Sequence, residues 1–146
     1  MARTVDDIVI DAPAAAVMAV IADFPAYPQW ATGMRSTDVL SSGTDGRATQ
    51  VRFALDAAPI RDVFTLCYRW AGDGGVSWSL LTEEDTMLKA MDGTYLLEPI
   101  TRDQTRVTYQ LSVDVKVPLL GMLKRKAEKV IVETALKGLK KRVENQ

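Results

Sequence analysis

Thr105-Arg106-Val107-Thr108-Tyr109-Gln110-Leu111-Ser112-Val113-Asp114-Val115-Lys116-Val117-Pro118 is the stretch that decides the fold. Val107, Tyr109, Leu111, Val113 and Val115 share one face of an extended chain; Arg106, Thr108, Gln110, Ser112, Asp114 and Lys116 share the other. Successive strand side chains point to opposite faces, so a period of two held this long describes a sheet that is wet on one side only. Pro118 lacks the N–H of a continuing ladder and stops the strand. Residues 119–144 contain no proline and read as one long helix. Leu120, Leu123, Ala127, Val130, Ile131, Thr134 and Gly138 recur along one side at helical spacing. Val132, Leu136, Leu139 and Val143 form a second stripe, with Lys126, Lys129, Lys137 and Lys140 between the two. A helix apolar over more than half its circumference is gripped by its neighbours rather than laid on a surface.

Upstream, the same alternation returns. Residues 48–55 align Val51, Phe53 and Leu55; residues 61–70 align Phe64, Leu66, Tyr68 and Trp70. Residues 76–81 align Val76, Trp78 and Leu80, and residues 87–97 align Met91, Gly93, Tyr95 and Leu97. Gly43 to Gly46 and Gly72-Asp73-Gly74-Gly75 are turn signals between such runs. A strand over residues 34–42 opens the series, and residues 4–10 read as an edge strand. Between them Pro13 suits the first turn of a helix, with Asp11 or Ala12 near its cap and Val17, Val20 and Ile21 as its apolar stripe. The two prolines of Phe24-Pro25-Ala26-Tyr27-Pro28-Gln29-Trp30 limit a second helix to about residues 26–32. The order is therefore β-α-α-β6-α. Six consecutive antiparallel strands twist and curl, and the terminal helix alone is long enough to fill the concave apolar face. An α+β helix-grip arrangement follows: a curved antiparallel seven-stranded sheet around a long C-terminal helix.

Composition narrows the chemistry. The 146 residues, 47% hydrophobic and 25% charged, suit one globular domain with a real core. No apolar run approaches the ~18 residues of a membrane span, and the N-terminus lacks the apolar segment of a signal peptide, so a cytoplasmic protein is expected. A single cysteine, Cys67, makes neither an internal disulfide nor a thiolate metal site alone. There is no histidine. That removes Ser/His and Cys/His dyads, histidine bases and histidine-ligated zinc. No metal or cofactor is expected. Charge is uneven: from Leu119 onward eight cations oppose three acids, which leaves the tail at +5 and the body at −6. Such a tail is either a solvated helix face or a surface for an anionic partner. Few aromatics interleave with its lysines, which speaks against nucleic acid.

Ile10-Asp11-Ala12-Pro13, the Phe24–Trp30 segment, Gly93-Thr94-Tyr95-Leu96-Leu97-Glu98-Pro99, Thr105-Arg106-Val107-Thr108-Tyr109 and the Pro118-led helix, in that order and spacing, resemble the START-like (SRPBCC) superfamily. The resemblance is to its bacterial polyketide cyclase/dehydrase and lipid-transport group, over nearly the whole chain. It implies a single START-like domain over residues 1–146 and a hydrophobic small molecule held between the final helix and the sheet. It places the cavity among Trp30, Met34, Phe53, Phe64, Tyr68, Trp78, Met91, Tyr95, Tyr109, Leu123, Ala127, Ile131 and Thr134, with access near the second helix.

The residues add physical content to that placement. Trp, Tyr and Met on the inward faces fill and reshape around flat apolar molecules. Ala127, Thr134 and Gly138 either leave a void opposite large side chains or let helix and sheet pack closely. Tyr68, Tyr95 and Tyr109 each bring a hydroxyl that wants backbone, water or ligand. Arg52 and Arg69 fall on the outward face unless a bulge turns them inward. Cys67 also faces outward and lacks an activating neighbour. Asp92 is a base candidate only if it reaches the cavity. Trp30, which ends the short helix at the expected mouth, is either a cavity residue or a staple holding that helix to the sheet. The reading favours non-catalytic binding or transport of a lipid, polyketide or quinone-like molecule. A polyketide aromatase/cyclase is the second reading, and a quinone-chaperone or ribosome-associated toxin-like protein acting through the basic helix is the third.

Overall fold

A computed structural model describes residues 3–31, 33–57, 60–81, 88–116 and 121–145. In chain order the elements are β1 (Thr4–Ile10), α1 (Ala14–Ala22), a 3₁₀ turn (Phe24–Ala26), α2 (Tyr27–Trp30), β2 (Met34–Ser42), β3 (Ala48–Ala57), β4 (Ile60–Ala71), β5 (Gly75–Leu80), β6 (Leu88–Thr101), β7 (Gln104–Val115) and α3 (Gly121–Glu144). The seven strands form one curved antiparallel sheet in the order β1-β7-β6-β5-β4-β3-β2. Strands 2 to 7 are neighbours in sequence and in space. β1 returns to pair with β7 over its whole length, from Thr4 opposite Leu111 to Ile10 opposite Thr105. The alternation read from residues 105–117 is the observed pleat: Val107, Tyr109, Leu111 and Val113 are buried and Arg106 is exposed.

Three local expectations are corrected. Pro13 itself is the cap residue of α1, and no side chain caps that helix. Asp11 instead accepts a hydrogen bond from Gln104 Nε2 at 2.9 Å. The second helix is shorter than expected, because Pro25 and Pro28 break it into a 3₁₀ turn and the single turn of α2. Thr32, Met87 and residues 117–120, on which the ends of two expected helices and two expected strands fell, lie outside the described residues. β6 runs past Leu97, through Pro99, to Thr101. β5 pairs with β6 only as far as Leu96, so the missing N–H of Pro99 costs no bond to β5.

α3 packs against β1, β7, α1 and α2. It therefore covers one side of the concave face and leaves the aromatic rows of β3 to β6 facing a gap. Ala127, Val132, Leu136, Leu139 and Val143 are its buried residues, whereas Val130, placed on the inward stripe by its spacing, is 41% exposed. Glu128 is buried among them. Its carboxylate accepts the Val113 N–H at 2.6 Å and the Thr4 hydroxyl at 3.1 Å. β1 stops pairing at Leu111, so this carboxylate satisfies a β7 donor that β1 does not reach. At the other end of α3, Lys140 donates to Val9 O and Glu144, and Glu144 accepts the Asp11 N–H at 2.9 Å. No helix among the described residues is long and apolar enough to cross a membrane.

Candidate functional site

The gap beneath α3 is a cavity of about 80 Å³. Its floor is built strand by strand: Phe53 and Leu55 from β3, Phe64, Leu66 and Tyr68 from β4, Trp78 from β5, Met91 and Tyr95 from β6, and Tyr109 from β7. Its roof is Ile131, Thr134 and Ala135 of α3, with Tyr27 and Trp30 of α2 and the following Ala31 and Met34. The rings form a continuous aromatic surface. Tyr95 and Tyr109 lie 4.6 Å apart, Trp78 is edge-on to Tyr109 at 5.6 Å, and Tyr27 meets Trp30 at 4.8 Å. Trp78 lies flat across β6 because the residue opposite it is Gly93. A Cβ there would sit 2.2 Å from the indole.

The structure thus brings Trp30, Met34, Phe53, Phe64, Tyr68, Trp78, Met91, Tyr95, Tyr109, Ile131 and Thr134 to one cavity. Ala127 is buried but does not line it. The Leu123 side chain lies outside the described residues. Gly138 does not open the aromatic cavity: a Cβ there would lie 2.3 Å from the Trp30 carbonyl oxygen, so this glycine lets α2 dock directly on α3, and it borders the outer side of that contact. Arg52, Arg69 and Asp92 are exposed on the outward face, and Cys67 is half-buried there.

Tyr27, Ala31, Leu55, Leu66 and Ala135 also line the cavity and were not singled out from the sequence. A signal for Tyr27 was present. Phe24, Tyr27 and Trp30 stand three apart, and three-residue spacing stacks side chains along one edge of a tight turn. Phe24 and Tyr27 are 4.9 Å apart accordingly.

The polar content of the cavity is almost wholly phenolic. The Tyr27 hydroxyl donates to the Ile21 carbonyl. Among the described residues, no hydrogen bond is formed by the hydroxyls of Tyr68, Tyr95 and Tyr109. Burial pushes all four phenols above the ordinary tyrosine value of 10.0. The proximity of the other hydroxyls adds to this for Tyr27, Tyr68 and Tyr95. At neutral pH they are protonated hydrogen-bond donors, not bases. Among the described residues, no carboxylate and no lysine lines the cavity.

A long helix seated against a curved antiparallel sheet, with an aromatic cavity between them, defines a helix-grip protein of the START-like class. The chain belongs to the family described as polyketide cyclase / dehydrase and lipid transport, whose model matches residues 1–144. Among solved structures it is similar to a START superfamily protein from Mycobacterium smegmatis, with 24% identity, a TM-score of 0.88 and coverage of 98% of this chain and 97% of that one. It is also similar to the Zhui aromatase/cyclase from Streptomyces sp. R1128, at 17% identity and a TM-score of 0.77, covering 98% and 93%. A STAR-related lipid transfer protein from Xanthomonas axonopodis matches at 21% identity and a TM-score of 0.69, covering 97% and 85%. At these identities the likeness is one of fold. No curated protein matches the sequence.

Proposed function

We propose that this chain binds a hydrophobic small molecule, of lipid, polyketide or quinone-like character, in the cavity between α3 and the sheet, and carries it without altering it. The observation that supports this best is the lining: aromatic and aliphatic side chains with neutral phenols as the main polar groups. Such a surface orients a carbonyl or phenol through donated hydrogen bonds, and among the described residues it has no carboxylate or lysine placed to accept a proton. The uncharged fluorophore N-phenyl-1-naphthylamine tests it directly. Saturable, one-to-one binding with a blue-shifted emission is the expected result, and native mass spectrometry of protein purified from its own host should show a co-purifying apolar molecule. A protein that arrives empty and ignores the fluorophore, fatty acids, quinones and polyketide mimics overturns the reading.

A second reading, polyketide aromatase/cyclase, is favoured by one observation, the convergence of the Tyr68, Tyr95 and Tyr109 hydroxyls on a single space. Donors held around a poly-β-keto chain could favour one folding of that chain. Tyr68→Phe, Tyr95→Phe and Tyr109→Phe should each alter the product distribution of a cyclisation assay. Three unchanged distributions end this alternative.

A further inference from the structure

We infer that the ligand is an anionic amphiphile whose apolar body occupies the aromatic cavity and whose charged head lies in the groove between α2 and the C-terminal turns of α3, at Lys137, Lys141 and Arg142. The inference rests on the binding function proposed above and adds the charge and the orientation of the ligand. Size is the first argument. A cavity of about 80 Å³ holds only a few waters' worth of ligand, whereas binding sites for small molecules typically span ~300–1,000 Å³. Trp30 and Thr134 line that cavity and also an adjoining groove of about 680 Å³. A displacement of the Trp30 ring would join the two spaces.

Charge is the second argument. Lys137, Lys141 and Arg142 line the groove, and among the described residues no acid does. Among the described residues none of the three makes an ion pair. On other faces of the same helix, Lys129 lies 3.9 Å from Glu133 and Lys140 lies 2.6 Å from Glu144. Lys137 and Lys141 are four apart, the spacing at which like charges repel along a helix. The helix dipole accounts for cations in the last turn, where Lys141 and Arg142 lie. It does not account for Lys137, a full turn earlier. An anion in the groove relieves the repulsion between Lys137 and Lys141.

The Trp30 indole N–H is buried without a hydrogen-bond partner, on a residue only 8% exposed. A buried donor without an acceptor is costly. This one belongs to the residue that borders both spaces, where a ligand oxygen at the junction of body and head would accept its proton.

The test is displacement of N-phenyl-1-naphthylamine by dodecanoate, by dodecyl phosphate and by the uncharged 1-dodecanol. Dodecanoate or dodecyl phosphate should displace the fluorophore at roughly tenfold lower concentration than dodecanol. Whichever anion is the stronger identifies the head group as carboxylate or phosphate. That advantage should shrink as salt rises from ~0.05 to ~0.5 M. It should fall to about unity in the Lys137→Gln/Lys141→Gln/Arg142→Gln variant, and persist in Lys126→Gln, which removes an exposed cation away from the groove. Equal displacement by all three competitors overturns the anionic head while leaving the cavity reading intact, as does an advantage that survives the triple substitution. Failure of the fluorophore to bind at all overturns both.

Discussion

Two glycines show how single positions shape the site. At Gly93 an added methyl would collide with the Trp78 ring at 2.2 Å. Overpacking of this kind costs about 1–3 kcal/mol, so Gly93→Ala should lower the urea midpoint correspondingly and change the tryptophan emission. Gly74→Ala, where the nearest atom is 3.6 Å away, should lie within about 0.5 kcal/mol of the parent. Equal midpoints for the two variants would mean that Trp78 does not rest on β6 as described. Glu128 makes a different point. Glu128→Ala strands the buried Val113 N–H and should cost about 1–3 kcal/mol. Glu128→Gln retains one acceptor oxygen and should lose less; the ranking is read from equilibrium unfolding. The alternating residues of β7 were legible because their neighbours repeat one pattern. Glu128 was not, because a glutamate in a lysine-rich helix reads as solvated. The available hint was its position four before Val132, on the stripe that includes Leu139 and Val143. An acid there must find donors.

Helix α3 and strands β1 to β7 were legible as elements because each is long enough for its period to be counted. The ends were less so. β6 continues through Pro99 only because β5 has ended beside it, which is a property of the sheet and not of the segment. α2 is shorter than its sequence suggests because two prolines specify a break without specifying which tight turn replaces the helix. A glycine on the helix face is compatible with either a void or close packing, and at Gly138 the Trp30 backbone makes it close packing. A prediction at this scale concerns how α3 ends. Lys140, and then the Asp11 N–H, lower the Glu144 carboxyl below the ordinary 4.5. A group with a depressed folded pKa stabilises above its unfolded value, and that contribution fades as pH falls through the folded one. The last turn of α3 should therefore exchange its amide hydrogens faster, relative to the helix centre, below about pH 4. Glu144→Gln should show the faster exchange already at neutral pH and lose the acid dependence. An exchange ratio unmoved by either change would mean that the clasp to Val9 and Asp11 does not hold this end.

At the scale of the whole molecule, the four buried tyrosines make stability a readout of whether the cavity is sealed. Each phenol titrates near 10.0 when unfolded and higher when folded. Below that pH both states carry the proton and the groups contribute no slope. Above it the unfolded chain has lost protons that the folded one retains, so stability falls as pH rises. Each fully divergent group contributes about 1.4 kcal/mol per pH unit. The four phenols act in the same direction, so their contributions to the alkaline loss of stability reinforce one another. The urea midpoint should hold steady up to pH ~9.5 and then drop steeply. Replacing Tyr95 and Tyr109 together by phenylalanine should halve that drop. Neither hydroxyl bonds the protein among the described residues, so the neutral-pH midpoint should change little. The sign depends on water being kept from the phenols. If solvent entered freely past Trp30, their folded values would return toward 10.0 and the midpoint would stay level through pH 11. A shallow alkaline limb in the parent would describe a cavity that stands open. A steep limb that Trp30→Ala flattens would identify the Trp30 ring as the seal.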